Sequence, residues 1–182
     1  LDPTLAIFMD MFLNEPGKIT PVFRHIADHL PATAQRNSIA GSGRNAGKEE
    51  IYAESAERMK EMLLKLHRAG IRLLPGTDNN LPGFTLIREL MYYVEAGIPA
   101  NETLQLATLV SATFLGQQDR LGSISVGKEA QFYVVDGDPT ENIEALYRVE
   151  HIVKGRQLFY APDLLKAQGF VPFVRTTETA AR

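Results

Sequence analysis

The sequence predicts an α/β protein, and three adjacent observations predict it. Between Glu49 and Ala69, apolar or small residues at Ile51, Ser55, Met59, Met62, Leu66 and Ala69 keep the three-and-four spacing of one helical face, with Arg58, Glu61, Lys65 and Arg68 elsewhere. Gly70 stands where a helix is closed. Ile71 to Leu74 then reads as a short buried strand, interrupted only by Arg72, and Pro75 ends it because proline cannot donate to a central ladder. Helix, tight turn and buried strand are half of a parallel α/β unit.

The remaining elements follow in chain order. Leu1 to Leu13 is apolar, and Asp2-Pro3-Thr4 punctuates it as a strand end or a helix start. Pro21 to Ala32 begins on one proline and meets another at Pro31, which suits a short helix. Thr33 to Gly47 is polar, glycine-rich and aperiodic, and is expected to be an exposed loop. Past Asp78, a helix from Phe84 to Ala96 turns Leu86, Leu90 and Val94 inward and closes at Gly97. The segment from Asn101 to Leu115 carries apolar residues nearly all round, at Leu104, Leu106, Leu109, Val110 and Phe114, and predicts a helix buried on several sides. Leu121 to Val135 reads as short β segments, of which QFYVV is the strongest, and Arg148 to Tyr160 as a hairpin turning at Lys154-Gly155. A turn cluster, Asp136 to Pro139, lies between them, a short helix from Ala161 to Gln168 follows, and Arg175 to Arg182 forms a fraying tail.

Composition narrows the function classes. The 182 residues suit one domain, or one modest domain plus an appendage, and 45% hydrophobic content supports a packed core. A net charge of -3 supplies no basic stripe, which argues against nucleic acid as a partner. No apolar run reaches membrane-spanning length, and the absence of cysteine rules out disulfides and thiolate metal sites. The start, LDPTLAIFMDMF, lacks the pattern of a signal peptide and reads as the interior of a longer protein.

The chemistry points to one acid. Asp78 follows an apolar run and sits in a loop of Gly, Thr, Asn and Pro ahead of a helix, where α/β enzymes place catalytic carboxylates. A turn carboxylate bonding nearby amides would look the same in sequence. His25 and His29 are four apart, but HIADH lacks the glutamate of the helical zinc motif, so a solvated or capping role is expected. His67, in a last helical turn, and His151, in a strand, read as structural.

Four stretches in order carry a resemblance: GTDNN, TLIRELMYYVEAGIPANETLQLATLVSATFLG, DRLGSISVGKEAQFYVVDGDP and VEHIVKGRQLF. From about Ile71 to Tyr160 the chain resembles the C-terminal portion of the amidohydrolase superfamily, in particular its imidazolonepropionase-like and prolidase-like hydrolases. The resemblance implies the end of a TIM-type (β/α)8 barrel, residues 1–118, a part of a small β-sandwich, residues 119–160, and a short helix and tail, residues 161–182. It implies that Asp78 both binds a divalent metal, usually zinc, and takes the proton of a metal-bound water that attacks a carbon-nitrogen bond. The substrate would be a small molecule, such as a dipeptide or a cyclic amide.

The same resemblance marks what the chain lacks. The family's His-x-His pair, its middle-strand lysine or acid, and its two single histidines are not in this sequence. Pro75 stands where the family often has a small residue before GTD, and Gln131 replaces a common acid. The expectation is therefore a C-terminal piece that is inactive alone and either associates with itself or the missing N-terminal barrel segment, or behaves as a loose, dye-binding state with poor cooperativity. A non-catalytic assembly module using Leu121 to Tyr160 is the alternative.

Overall fold

The computed structural model describes residues 1–39, 46–79 and 81–174. Its elements are seven α-helices, two 3-10 turns, a π turn and three strands among those residues. Helices α1 (Leu5–Leu13), α3 (Glu49–Arg68) and α4 (Phe84–Glu95) pack on one another around Leu5, Met9, Ala56, Leu63, Leu73, Leu90 and Tyr93, all buried. Among the described residues no helix is long and apolar enough to cross a membrane.

Helix α3 runs where the periodicity puts it, but turned by one residue. Ala56 and Leu63 are its buried positions, with Tyr52 and Met59 half-buried on the same side. Ile51 and Met62 are instead 65% and 54% exposed. Two faces of this helix carry apolar residues, and the choice between them belongs to α1 and α4, against which it packs. Its C-terminus ends as expected: Gly70 has φ +77, its N–H bonds to His67 O, and the Ile71 N–H reaches back to Leu66 O.

Ile71 to Leu74 is extended but does not form a regular strand. Only Leu1 pairs with it among the described residues. The Leu1 amine donates to Arg72 O at 2.9 Å, and Leu74 N–H donates to Leu1 O at 2.9 Å. Two bonds that straddle Leu73 in this way are the pattern of a parallel bridge. One bridge is too little for a ladder, so the sequence expectation of a buried strand holds for Leu73 and fails for the exposed Ile71 and Arg72.

The expected loop from Thr33 to Gly47 begins as helix α2 (Ala32–Ile39), and the part from 40 to 45 lies outside the described residues. Polar residues hide this helix from a periodicity reading, since it buries little besides Ser38. Before it, Arg24–His29 is a 3-10 turn rather than an α-helix. Helix α4 buries Leu90 as expected, with Thr85, Glu89, Met91, Tyr92 and Tyr93, while Leu86 and Val94 are only half-buried.

The 101–115 segment is α5 (Ala100–Gln105), a π turn (Leu106–Val110) and α6 (Ser111–Phe114). The Ser111 hydroxyl bonds to Leu106 O at 2.7 Å, five residues back, where the helix widens. Leu106 is buried, but Phe114 and Leu115 are 61% and 68% exposed, so burial on all sides is not what the fold gives. The β segments expected before Gln131 are turns. Strands β1 (Gln131–Val135), β2 (Val149–Lys154) and β3 (Gln157–Tyr160) form an antiparallel sheet in that order, with Lys154 opposite Gln157 at a two-residue turn. Helix α7 (Ala161–Ala167) lies against β2.

Candidate active site

Asp78 ends the extended segment whose root is Leu73. Leu73 is buried, Leu74 to Thr77 are half-buried, and Asp78 is exposed. Its backbone has φ 43, in the left-handed region that non-glycine residues seldom occupy and that Asp tolerates better than most. Gly83 (φ +89) then starts α4.

The segment is steadied by its neighbour at the start of the chain. Asp2 presses its carboxylate onto Gly76, where an added Cβ would stand 2.1 Å from Oδ2 and 2.5 Å from Oδ1. A Cβ there would oblige the exposed Asp2 side chain to swing away. Thr4 is left-handed (φ 48) and makes no side-chain cap for α1. Glu89 of α4 supplies that cap: its two oxygens accept from Leu5 N–H at 2.9 Å and Ala6 N–H at 2.6 Å. A carboxylate at a helix N-terminus satisfies amides that the helix leaves without partners and faces the positive end of its dipole. Glu89 is 0% exposed, and burial pushes its carboxyl up to about 7, against the pull of the two amides and with a further push from Asp2. Burial likewise raises the hydroxyl of Tyr93, with Glu89 and Asp2 adding to it.

Sequence reasoning missed Glu89 and Asp2. The signal for Glu89 is its position four residues from both Thr85 and Tyr93, an acid within the apolar stripe of α4, where only a buried polar partner makes sense of it. Nothing local marks that its partners lie more than eighty residues upstream.

Each histidine has a partner within the chain. His25 Nε2 lies 2.8 Å from the Tyr147 hydroxyl, which itself donates to Phe84 O at 3.1 Å, so the imidazole donates and carries its proton on Nε2. Burial, and then the charge of Arg88, lower its pKa to about 4. His29 stacks on Phe173 at 3.7 Å and bonds to Val171 O. A 3-10 turn has three residues per turn, so residues four apart diverge and do not make a metal pair. His67 bonds to Glu102 at 2.8 Å, and His151 packs against Tyr160. Among the described residues no three His, Cys, Asp or Glu converge as a metal site.

Among the described residues, one cavity lies beside α4 and another beside the Asp78 loop. One, of about 320 Å3, is an apolar groove between α4, β2 and α7, and its Tyr147 hydroxyl is already spent on Phe84. The other, of about 260 Å3, is lined about equally by polar and apolar groups and adjoins the Asp78 loop through Asn79 and Leu81.

Against known proteins, the family model described as "Amidohydrolase family" matches residues 12–158, most of the chain. The chain belongs to the amidohydrolase family. Imidazolonepropionase of Syntrophobacter fumaroxidans (strain DSM 10017 / MPOB) is 33% identical over 119 residues, which are 61% of this chain and 28% of that protein. A solved Xaa-Pro dipeptidase with bound methionine in the active site shares 31% identity at a TM-score of 0.54, over 62% of this chain and 28% of its own. A prolidase complexed with N-methylphosphonate-L-proline shares 26% at 0.54, over 71% and 32%. This amidohydrolase chain therefore spans about a third or less of the length of the relatives it matches.

Proposed function

We propose that this chain is the C-terminal part of a metal-dependent hydrolase of carbon-nitrogen bonds, and that Asp78 is its catalytic carboxylate. One observation carries the reading: an exposed Asp ends a segment rooted on buried Leu73 and bridged in parallel by Leu1, inside the stretch that matches the family. In this reading Leu1 and Leu73 belong to the last two strands of a (β/α)8 barrel in residues 1–118, the β1–β3 sheet to a β-sandwich in residues 119–160, and residues 161–182 to an appended helix and tail. The hydrolase neighbours support the reaction class, and the dipeptidase and prolidase support a small dipeptide-like substrate.

The metal needs more than this chain brings. A divalent ion, zinc by the family habit, lowers the pKa of a bound water. The described residues assemble no cage for one, and a single carboxylate does not hold it. The role assigned here is Asp78's own: it accepts a proton from the attacking water. Isolated, the chain is inactive, and it associates with an N-terminal barrel segment or with a second copy. The exposed Phe114, Leu115, Ile124 and Leu158 support such assembly, as they would in the alternative of a non-catalytic assembly module.

In the complete enzyme, Asp78→Asn keeps the shape and removes the base, and turnover of an Xaa-Pro dipeptide is expected to fall at least about a hundredfold. Turnover near wild type in a metal-loaded enzyme would take Asp78 out of the mechanism.

A further inference from the structure

Helix α1 takes its cap from another element. The place of a local cap is held by Thr4, a residue type suited to the task, yet its side chain makes no cap bond. The amides of Leu5 and Ala6 go instead to the two oxygens of Glu89, in the second turn of α4, at 2.9 and 2.6 Å. All three residues are buried, Glu89 and Ala6 completely. Burying a carboxylate is costly, and a threonine hydroxyl would satisfy a first-turn amide without that cost. What the remote cap adds is a tie between α1 and α4, which pack on each other.

That tie closes a circuit, and Asp78 is a member of it. One arm is the chain itself, from Leu73 through Asp78 to Glu89. The Glu89 oxygens then pass to Leu5 and Ala6, the chain leads back to Leu1, and the two bonds of the parallel bridge return to Arg72 and Leu74 at 2.9 Å each. Asp2 lies between bridge and cap, with its carboxylate against Gly76, two residues before Asp78. Residues 1–4 are thus held at one end by the bridge and at the other by Glu89, which leaves few backbone conformations to the stretch that supports the Asp78 segment. Aspartate in place of Glu89 falls short by a methylene, and glutamine turns an N–H toward one of two N–H donors, so glutamate is the one of these side chains that serves both amides.

We propose that Glu89 is a positioning residue for Asp78: through Leu5 and Ala6 it holds residues 1–4, and through their bridge and Asp2 it fixes where the Asp78 carboxylate stands. That a displaced carboxylate costs turnover rests on the hydrolase reading; the positioning does not.

The first arm of the test reads position without metal or substrate. The 182-residue chain is compared by NMR as wild type, Glu89→Ala, Glu89→Gln and Ile98→Val at about pH 7.5, where loss of Glu89 costs the fold less than in acid. Ile98 is buried outside the circuit, and its change lowers stability without touching it. Glu89→Ala should shift the Leu74, Gly76 and Asp78 resonances and speed exchange of the Leu74 N–H at least about tenfold relative to the amides of β2, which also lies outside the circuit. Glu89→Gln, with one acceptor left, should do so to a smaller degree, and it carries the test if Glu89→Ala does not fold. Unmoved Leu74 and Asp78 signals, or the same changes in Ile98→Val, would overturn the proposal. In the complete enzyme, Glu89→Gln should lower kcat for an Xaa-Pro dipeptide roughly tenfold with KM little changed, and should have no further effect in an Asp78→Asn background. Independent losses in the double variant, or an unchanged kcat where Asp78→Asn is inactive, would overturn it as well. An Asp78→Asn enzyme of full activity would remove the hydrolase role of Asp78 and leave the first arm to decide the positioning.

Discussion

Replacing Glu89 by Ala should cost this protein most of its stability penalty in acid and little at alkaline pH, the reverse of what losing an ordinary ion-paired carboxylate does. Below about pH 5 the folded-state carboxyl is protonated and its oxygens still cap Leu5 and Ala6. Removing it leaves two buried amides without acceptors, at about 1 to 2 kcal/mol each, or roughly 2 to 4 kcal/mol together. As pH rises, the unfolded chain loses its proton first, near the ordinary 4.5, while the folded chain keeps it until about 7. The folded state therefore binds more protons in that window, and stability falls with rising pH. The whole window amounts to roughly 3 kcal/mol, at about 1.4 kcal/mol for each pH unit. The penalty for Glu89→Ala should accordingly shrink to about 1 kcal/mol or less by pH 8. Urea unfolding of both proteins at pH 4.5 and pH 8, followed by circular dichroism, measures it, and amide exchange at Leu5 and Ala6 reports the cap directly. A penalty that stays constant, or that grows with pH, refutes the buried-carboxyl reasoning.

Further outcomes follow from other contacts. Gly76→Ala drives a Cβ into the Asp2 carboxylate and should lose about 1 to 3 kcal/mol, and adding Asp2→Ala should recover most of it; additive losses in the double variant would show that the two side chains do not meet. His25, held neutral by burial and by Arg88, should titrate near pH 4 in an NMR series, and its contribution to stability, complete above about 6.5, should be lost as pH falls through 4. A His25 midpoint near 6.5 would show an imidazole free of Tyr147 and Arg88.

Elements that advertise themselves locally were legible. The α3 helix, its cap at Gly70, the QFYVV strand and the hairpin were each readable from a period or a turn residue. What the sequence could not settle was decided by distant partners. The apolar residues of α3 permit two faces, and α1 and α4 choose the one with Ala56 and Leu63. Phe114 and Leu115 look like core residues and are exposed, because hydropathy says what a residue prefers and packing says what it obtains. Asp78 stands out in the sequence by its place after an apolar run, and its catalytic role is the reading proposed above. Glu89 does not stand out, because its meaning lies in two amides of another helix.

The bridge between Leu1 and Leu73 gives the intervening chain an unusual freedom. Both ends of an excursion of some seventy residues stand on one spot, so its surface turns can vary without moving its feet, while α1 and α3 within it stay bound to the core. Asp78 hangs from that fixed spot, whereas Asp10, Asn14 and Thr20 travel with the excursion. Side chains that line the cavity beside the Asp78 loop can thus change while the carboxylate five residues past Leu73 stays where it is.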